Sequence, residues 1–167
     1  MAENVGRRLL ALRELYGISQ RELAKRAGVP NSAISVIEHG KSSPSVSSLE
    51  KVLSGFPMTV QQFLNVNVVD TSLYTYGKED QQGVFDEQHI DLHLSNADST
   101  NAVLITPGPA QVLVIGGKVC INTCNQKLEQ SAGDRVGMDR NTPFRVDPLT
   151  DDAVWVYAAL RTSSYHL

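Results

Sequence analysis

The side chains best suited to recognition chemistry are small, polar and grouped within residues 17–44. Amide and hydroxyl groups form hydrogen bonds with base edges in a DNA groove and with phosphate oxygens. We expect Asn31 to pair with adenine, and Ser32 and Ser35 to bond to bases or phosphates. Residues placed for contacts with the phosphate backbone are Gln20, Arg21, Lys41 and Ser42. The alternative is an ordinary helical hairpin whose exposed ends carry polar residues.

Two short helices are predicted to position these side chains. Ser19 is a suitable N-cap, and Glu22 follows it at the spacing of a capping box for a helix over 21–27. Gly28 can adopt the positive φ that ends this helix.

The second helix starts at Pro30 or Asn31 and ends at Gly40. Its apolar residues Ile34 and Ile37 are expected to face a core. Two helices joined by a turn of three to four residues that contains Gly form the helix-turn-helix pattern, in which the second helix enters the major groove of DNA.

Further helical patterns flank this pair. Apolar residues recur every three to four positions before it, and two more helices follow, the fourth starting at Ser45 and the fifth capped by Thr59. In the fourth helix we expect Val46, Leu49, Val52 and Leu53 to be buried. These patterns predict a five-helix domain.

Beyond residue 65 the pattern changes to short strands. Apolar runs such as QVLVIGG, KVCINT and AVWVYAAL are separated by Gly, Pro, Asn and Asp. The spacing is typical of a barrel or sandwich. We therefore predict an α+β chain with a DNA-binding domain over 1–65, a linker or first strand over 66–75, and a β-barrel domain over 76–167.

Charge is divided unevenly between these parts. Residues 1–65 carry eight basic and five acidic residues, whereas residues 66–167 carry seven basic and thirteen acidic ones. A polyanion is attracted to the first part and repelled by the second, which favours double-stranded DNA as a partner of the N-terminal domain alone.

Residues 5–64 resemble the XRE family of λ-repressor/Cro-type helix-turn-helix domains. The motifs that carry the resemblance are LYGISQ, ELA, AGV and IEHGK followed by Pro44. It implies a transcription regulator of bacterial type that binds a palindromic operator as a homodimer. It also implies that Gln20 supports the recognition residues. Glu38 is acidic within this motif, so we expect it to pair with Arg8, Arg13 or Arg26 instead of contacting phosphate.

The C-terminal half resembles the cupin barrels that are fused to such domains, most clearly in GGKVCINTCNQKLEQSAGDRVGMDRNTPFRV. The cupin metal ligands are missing, since Phe144 stands where a His should follow Pro143. We therefore expect a sensory or dimerisation domain without metal, cofactor or catalytic residues. The expected lining of an effector pocket, for which core packing is the alternative, is Met138, Phe144, Trp155 and Tyr157.

Two other functions stay open at this stage. A cupin metalloenzyme with a helical appendage would use His89 and His93, whose even spacing places both on one face of a strand. An antitoxin-like module would use the helices to bind protein. Cys120 and Cys124 are expected to be reduced structural thiols, with a redox sensor as the alternative. The charged N-terminus and the lack of a long apolar run predict a cytoplasmic protein.

Overall fold

The computed structural model describes residues 2–66, 68, 73–75, 90–99, 102–106 and 108–160. The chain divides into two compact units, Met1–Val68 and Val69–Leu167. In the described part, unit 1 is helical and unit 2 consists of strands, which confirms the predicted α+β class. The helices are α1 (Ala2–Leu15), α2 (Gln20–Ala27), α3 (Asn31–Glu38), α4 (Val46–Leu53) and α5 (Val60–Asn65).

The ends of the helices follow from local side-chain chemistry. The Ser19 hydroxyl accepts a hydrogen bond from the Glu22 backbone N–H at 3.0 Å and caps α2. The expected reciprocal bond from Glu22 is replaced by an ion pair with Arg26 at 2.9 Å, so the prediction of a full capping box here was wrong. Gly28 ends α2 with φ of 62°. A full capping box forms instead at Thr59 and starts α5.

Unit 1 has an apolar core to which all of its helices contribute. The largest fully buried side chains of this unit come from every helix: Leu9, Leu12, Leu23, Ile34, Leu53 and Phe63. Val46 is 68% exposed, contrary to the prediction that it is buried. It is the first residue after the N-cap Ser45, and the core contacts of α4 start one turn later, at Leu49.

Helix α1 holds α3 and α5 in place by close contacts. A Cβ on Gly6 would lie 2.2 Å from the backbone oxygen of Ile37, so α1 approaches the end of α3 more closely than a larger residue permits. The Arg8 guanidinium donates to the carbonyl oxygens of Phe63 and Leu64 at the end of α5. The same cation lies 5.9 Å from the centre of the Phe63 ring.

Unit 2 contains two antiparallel sheets. The first has the strand order β1-β7-β4-β9-β2 and the second has the order β3-β8-β5-β6. The strands are β1 (Leu73–Thr75), β2 (Ile90–Asn96), β3 (Leu104–Ile105), β4 (Ala110–Gly116), β5 (Lys118–Thr123), β6 (Lys127–Ser131), β7 (Arg135–Met138), β8 (Pro143–Pro148) and β9 (Val154–Leu160).

Alternate residues of these strands form one apolar core. Val112 and Val114 of β4, Ile121 of β5 and Trp155 of β9 are buried in it. Several predicted apolar runs became strands at about the expected positions. In the segment 66–75, predicted as a linker or first strand, Val66 and Val68 are not in a strand, whereas Leu73–Thr75 form β1.

Both cysteines are free thiols in this structure. Burial raises the pKa of Cys124 to about 12. Burial, together with the nearby Asp147 and Glu129 carboxylates, also raises the pKa of Cys120. Because the thiolate is the reactive form, both shifts favour structural thiols over a redox sensor.

We predict that Cys124 reacts slowly with alkylating reagents in the folded protein. In a Cys120→Ser variant, iodoacetamide at pH 8 should modify the native chain about a thousandfold more slowly than the urea-unfolded chain, since three pKa units separate a pKa of about 12 from the ordinary thiol value. The native rate should keep rising between pH 9 and 11, as measured by mass spectrometry. Equal rates for native and unfolded chains would contradict the burial of the Cys124 thiol.

Candidate nucleic-acid interface

Helix α3 has one buried and one exposed face. Ile34 and Ile37 are buried in the core of unit 1, whereas Asn31 and Ser32 are exposed. Ser35 is half-buried, and its carbonyl oxygen lies 2.7 Å from Nδ1 of His39, the C-cap residue. The three polar residues predicted to read bases therefore lie on one helix whose apolar face is buried.

A buried carboxylate fixes α3 to the two preceding helices. The Arg13 guanidinium of α1 donates to Glu38 from Nε to Oε1 at 2.7 Å and from Nη2 to Oε2 at 3.1 Å. The side chains of Arg13 and Glu38 are 12% and 1% exposed. The hydrogen bond with Glu38 raises the pKa of Arg13. The prediction that Glu38 pairs with a basic residue is confirmed, and the partner is Arg13.

Gln20 links the same carboxylate to α2. Its Nε2 donates to Oε2 of Glu38 at 2.6 Å, so the first residue of α2 holds the last residue of α3. Arg13 also donates from Nη1 to the Ile18 carbonyl oxygen at 2.9 Å, in the segment before α2. The contact of Gln20 with Glu38 holds the helix that carries the predicted recognition residues, while support of those residues by Gln20 and its phosphate contact stay predictions.

The residues predicted to contact the phosphate backbone come before and after α3 in the sequence. Arg21 is exposed in the first turn of α2, and Lys41 and Ser42 are exposed directly after α3. The Lys41 backbone N–H donates to the Val36 carbonyl oxygen at 3.0 Å. This hydrogen bond connects the loop that follows α3 to the helix. A shallow groove of about 370 Å³ lies between α3 and this loop, lined by Ser32, Ala33, Val36, Ile37, Ser42, Ser43, Pro44, Ser45 and Ser48.

The exposed Val36 was not singled out in the sequence. Val36 is 38% exposed, and its spacing of four residues places it on the same side of the helix as Ser32, one turn earlier. The helical periodicity of the sequence could have identified Val36 as exposed, since this residue lies on the side of α3 away from Ile34 and Ile37.

The four residues proposed for an effector pocket divide into two groups. Met138 and Phe144 lie within the core of unit 2 and are 2% and 0% exposed. Trp155 and Tyr157 line a pocket of about 200 Å³ together with residues of both sheets: His93, Leu94, Ser95, Ala102, Leu104 and Val146.

His93 is placed for stacking in this pocket. Its ring lies nearly parallel to that of Tyr157, with 4.5 Å between the ring centres. His89, the other candidate ligand, lies outside the described residues. Within the described ranges, no three His, Cys, Asp or Glu side chains come together as a metal site would require. Across the same ranges, no helix combines the length and apolar character needed to cross a membrane.

We predict that the Arg13–Glu38 pair is essential for the stability of unit 1. Replacement of Glu38 by Ala leaves a buried guanidinium without its carboxylate, which should lower the free energy of unfolding by about 3–5 kcal/mol. Replacement of Glu22 by Ala removes a second Arg–Glu pair from the same unit, but that pair is exposed and its loss should barely change the urea midpoint. Equal midpoints for the two variants would show that the buried pair adds no stability.

Comparison with known proteins identifies the family that unit 1 resembles. Residues 9–63 match the helix-turn-helix family model HTH_3. The HTH-type transcriptional regulator PuuR of Escherichia coli (strain K12) is 40% identical over 60 residues, which are 36% of this chain and 32% of PuuR. The chain therefore aligns with about a third of the length of the curated relatives it matches.

Two solved structures are similar over longer stretches but at low TM-scores. An HTH_3 family transcriptional regulator from Vibrio cholerae has a TM-score of 0.36 at 18% identity, covering 96% of this chain and 97% of that one. A cupin-2 domain containing protein from Shewanella frigidimarina also has a TM-score of 0.36, at 11% identity, covering 43% of this chain and 69% of that one. The cupin likeness of unit 2 therefore stays a resemblance. The family match and the geometry of α2 and α3 agree, and unit 1 is a helix-turn-helix domain of the HTH_3 family.

Proposed function

We propose that this chain is a sequence-specific transcription regulator that binds a palindromic DNA operator as a homodimer. The observation that carries the proposal is the polar face of α3, held outward by the buried contact of Glu38 with Arg13 and Gln20. A helix enters the major groove productively only if its orientation on the domain is fixed. The 40% identity to PuuR over this region supports the same function.

Roles for the predicted residues follow from their positions. Asn31, Ser32 and Ser35 would contact bases, while Arg21, Lys41 and Ser42 would contact phosphates from either side of α3. Gln20 would both hold Glu38 and bond to phosphate. We assign this task to residues 1–65, and dimerisation and sensing to residues 76–167. Since the proposed operator is chromosomal DNA, the protein would act in the cytoplasm.

We propose binding and not catalysis as the function of unit 2. The pocket lined by Trp155 and Tyr157 has about 200 Å³, less than the volume of a typical drug-sized site, and supports a small effector. Of the metalloenzyme ligands considered from the sequence, His93 is engaged in stacking on Tyr157. The antitoxin-like alternative, in which the helices bind protein, is tested by the DNA experiment below.

The β domain also offers a surface for dimerisation. In the sheet with order β1-β7-β4-β9-β2, Leu113, Val156 and Leu94 lie side by side on neighbouring strands. They lie on the face opposite the core, where Leu113 and Leu94 are 42% and 71% exposed. Ile115, two residues along β4 at a break in the pairing register with β9, is 53% exposed. We call Leu94, Leu113, Ile115 and Val156 the apolar face.

The second sheet of the same unit is different. Its outward positions carry polar and charged residues, among them Arg145, Asp147 and Glu129, with Arg145 and Asp147 paired at 2.9 Å. Strands that are covered on both faces carry apolar residues on both, as β9 does and as β4 does except at Gln111. A second copy is the partner we propose for the apolar face, because a two-fold contact places like residues together and the four residues of this face are uncharged, with Arg135 of β7 beside Leu113 at the margin.

We predict that the full chain retains specific DNA from a genomic selection and that binding weakens steeply with salt. Ser32→Arg should lower the ratio of specific to nonspecific affinity at least about tenfold, since it replaces a base contact by a bulky charge. Ser54→Arg is the matched control, because it adds the same charge at the far end of α4. Gln20→Ala should also weaken specific binding. DNA binding that is absent, or that shows no salt dependence, would favour the antitoxin-like alternative.

We predict that Leu113→Asp, alone or with Leu94→Asp, converts a dimer to a monomer, because a carboxylate on each copy would be buried against its symmetry mate. Light scattering would measure the mass, and operator affinity should fall with it. Lys127→Asp, on the outer face of the other sheet, is the control that should remain dimeric. A dimer that survives both leucine substitutions would exclude this face as the interface.

A further inference from the structure

We propose that Val36 is a specificity residue that contacts the 5-methyl group of a thymine, and that the base pairs facing α3 are A·T. This inference rests on the proposed function, because it names the bases that the DNA-binding unit selects. It follows from two independent features of α3, the exposure of Val36 and the absence of Lys and Arg from the helix.

The first feature is an apolar side chain on the polar side of the helix. Ile34 and Ile37 are 0% and 6% exposed, whereas Val36 is 38% exposed. Val36 lies one turn after Ser32, and both line the groove between α3 and the following loop. The core of unit 1 therefore does not account for a branched apolar residue at this position, while the thymine methyl group is the apolar feature of the major groove.

The second feature is the charge of the helix. Recognition of guanine commonly uses Arg or Lys, and α3 contains neither. A carboxylate can accept from cytosine, but Glu38 is 1% exposed and engaged by Arg13 and Gln20. None of the charged residues of helix α3 is therefore available to bind guanine or cytosine.

The remaining side chains suit an A·T pair. Asn31 is exposed at the first position of α3, where recognition helices contact base edges, and an Asn amide can bond to N6 and N7 of adenine. Val36 supplies the apolar contact to thymine. Selectivity would come from neutral groups, while Arg21 and Lys41 would add affinity at the phosphates without reading sequence.

The test replaces single thymines by uracil in the selected operator, which removes the 5-methyl group and no hydrogen-bonding atom. Wild-type protein should lose about fourfold in affinity at one position of each half-site, the value of one buried methyl group. Val36→Ala should bind the thymine operator more weakly by a similar factor and no longer distinguish thymine from uracil there.

Val46→Ala is the matched control, since Val46 is also an exposed valine, on α4. It should retain the full difference between thymine and uracil. Circular dichroism would establish that both variants fold as the wild type does.

Three results would overturn the inference. They are a selected half-site whose central pairs are G·C, an operator in which no uracil substitution changes affinity, and a Val36→Ala variant that discriminates thymine from uracil as the wild type does. Each leaves specific DNA binding intact. Loss of the proposed function would look different, because wild-type protein would then select no operator at all.

Discussion

The burial of one carboxylate controls the geometry of the helix-turn-helix unit. Removing Glu38 from water is costly, and the cost is offset only if every donor is correctly placed. The donors come from α1 and α2, so the position of α3 depends on both helices at once. The apolar contacts of Ile34 and Ile37 stabilise the packing, but they are not directional. The hydrogen bonds to Glu38 are directional and fix the orientation of α3.

The same interaction solves an electrostatic problem. A free carboxylate at the end of α3 would repel the phosphates that flank a major groove. Paired with Arg13 and almost wholly buried, Glu38 presents little negative charge to a ligand. The exposed side of α3 is therefore neutral, and the cations Arg21 and Lys41 lie outside the helix. The proposed phosphate contacts and the proposed base contacts are thereby assigned to different residues.

Features determined by neighbouring residues were predictable from the sequence, such as the cap at Ser19, the end of α2 at Gly28 and the cap at Thr59. It was not predictable that Glu38 pairs with Arg13 instead of Arg8 or Arg26, because this depends on the other partners that the fold places next to each arginine. Arg8 is taken by the end of α5, and Arg26 by Glu22. Strands β6 and β7 do not stand out as apolar runs, since KLEQS contains one apolar residue and RVGM two, and both strands are held by pairing with β5 and β4.

The neutral face of α3 gives a physical reason for the dimer that we propose for the second unit. A good bidentate base contact contributes about 1–3 kcal/mol of discrimination, and Asn31 is the one side chain proposed to make such a contact from α3. One copy of this helix would therefore select its site weakly, whereas two linked copies add their contacts on one DNA molecule. A β domain that is apolar on the outer side of one sheet and polar on the other provides one surface for such a link. If the proposed dimer forms through this face, the specificity of α3 on DNA depends on residues of a different unit of the chain.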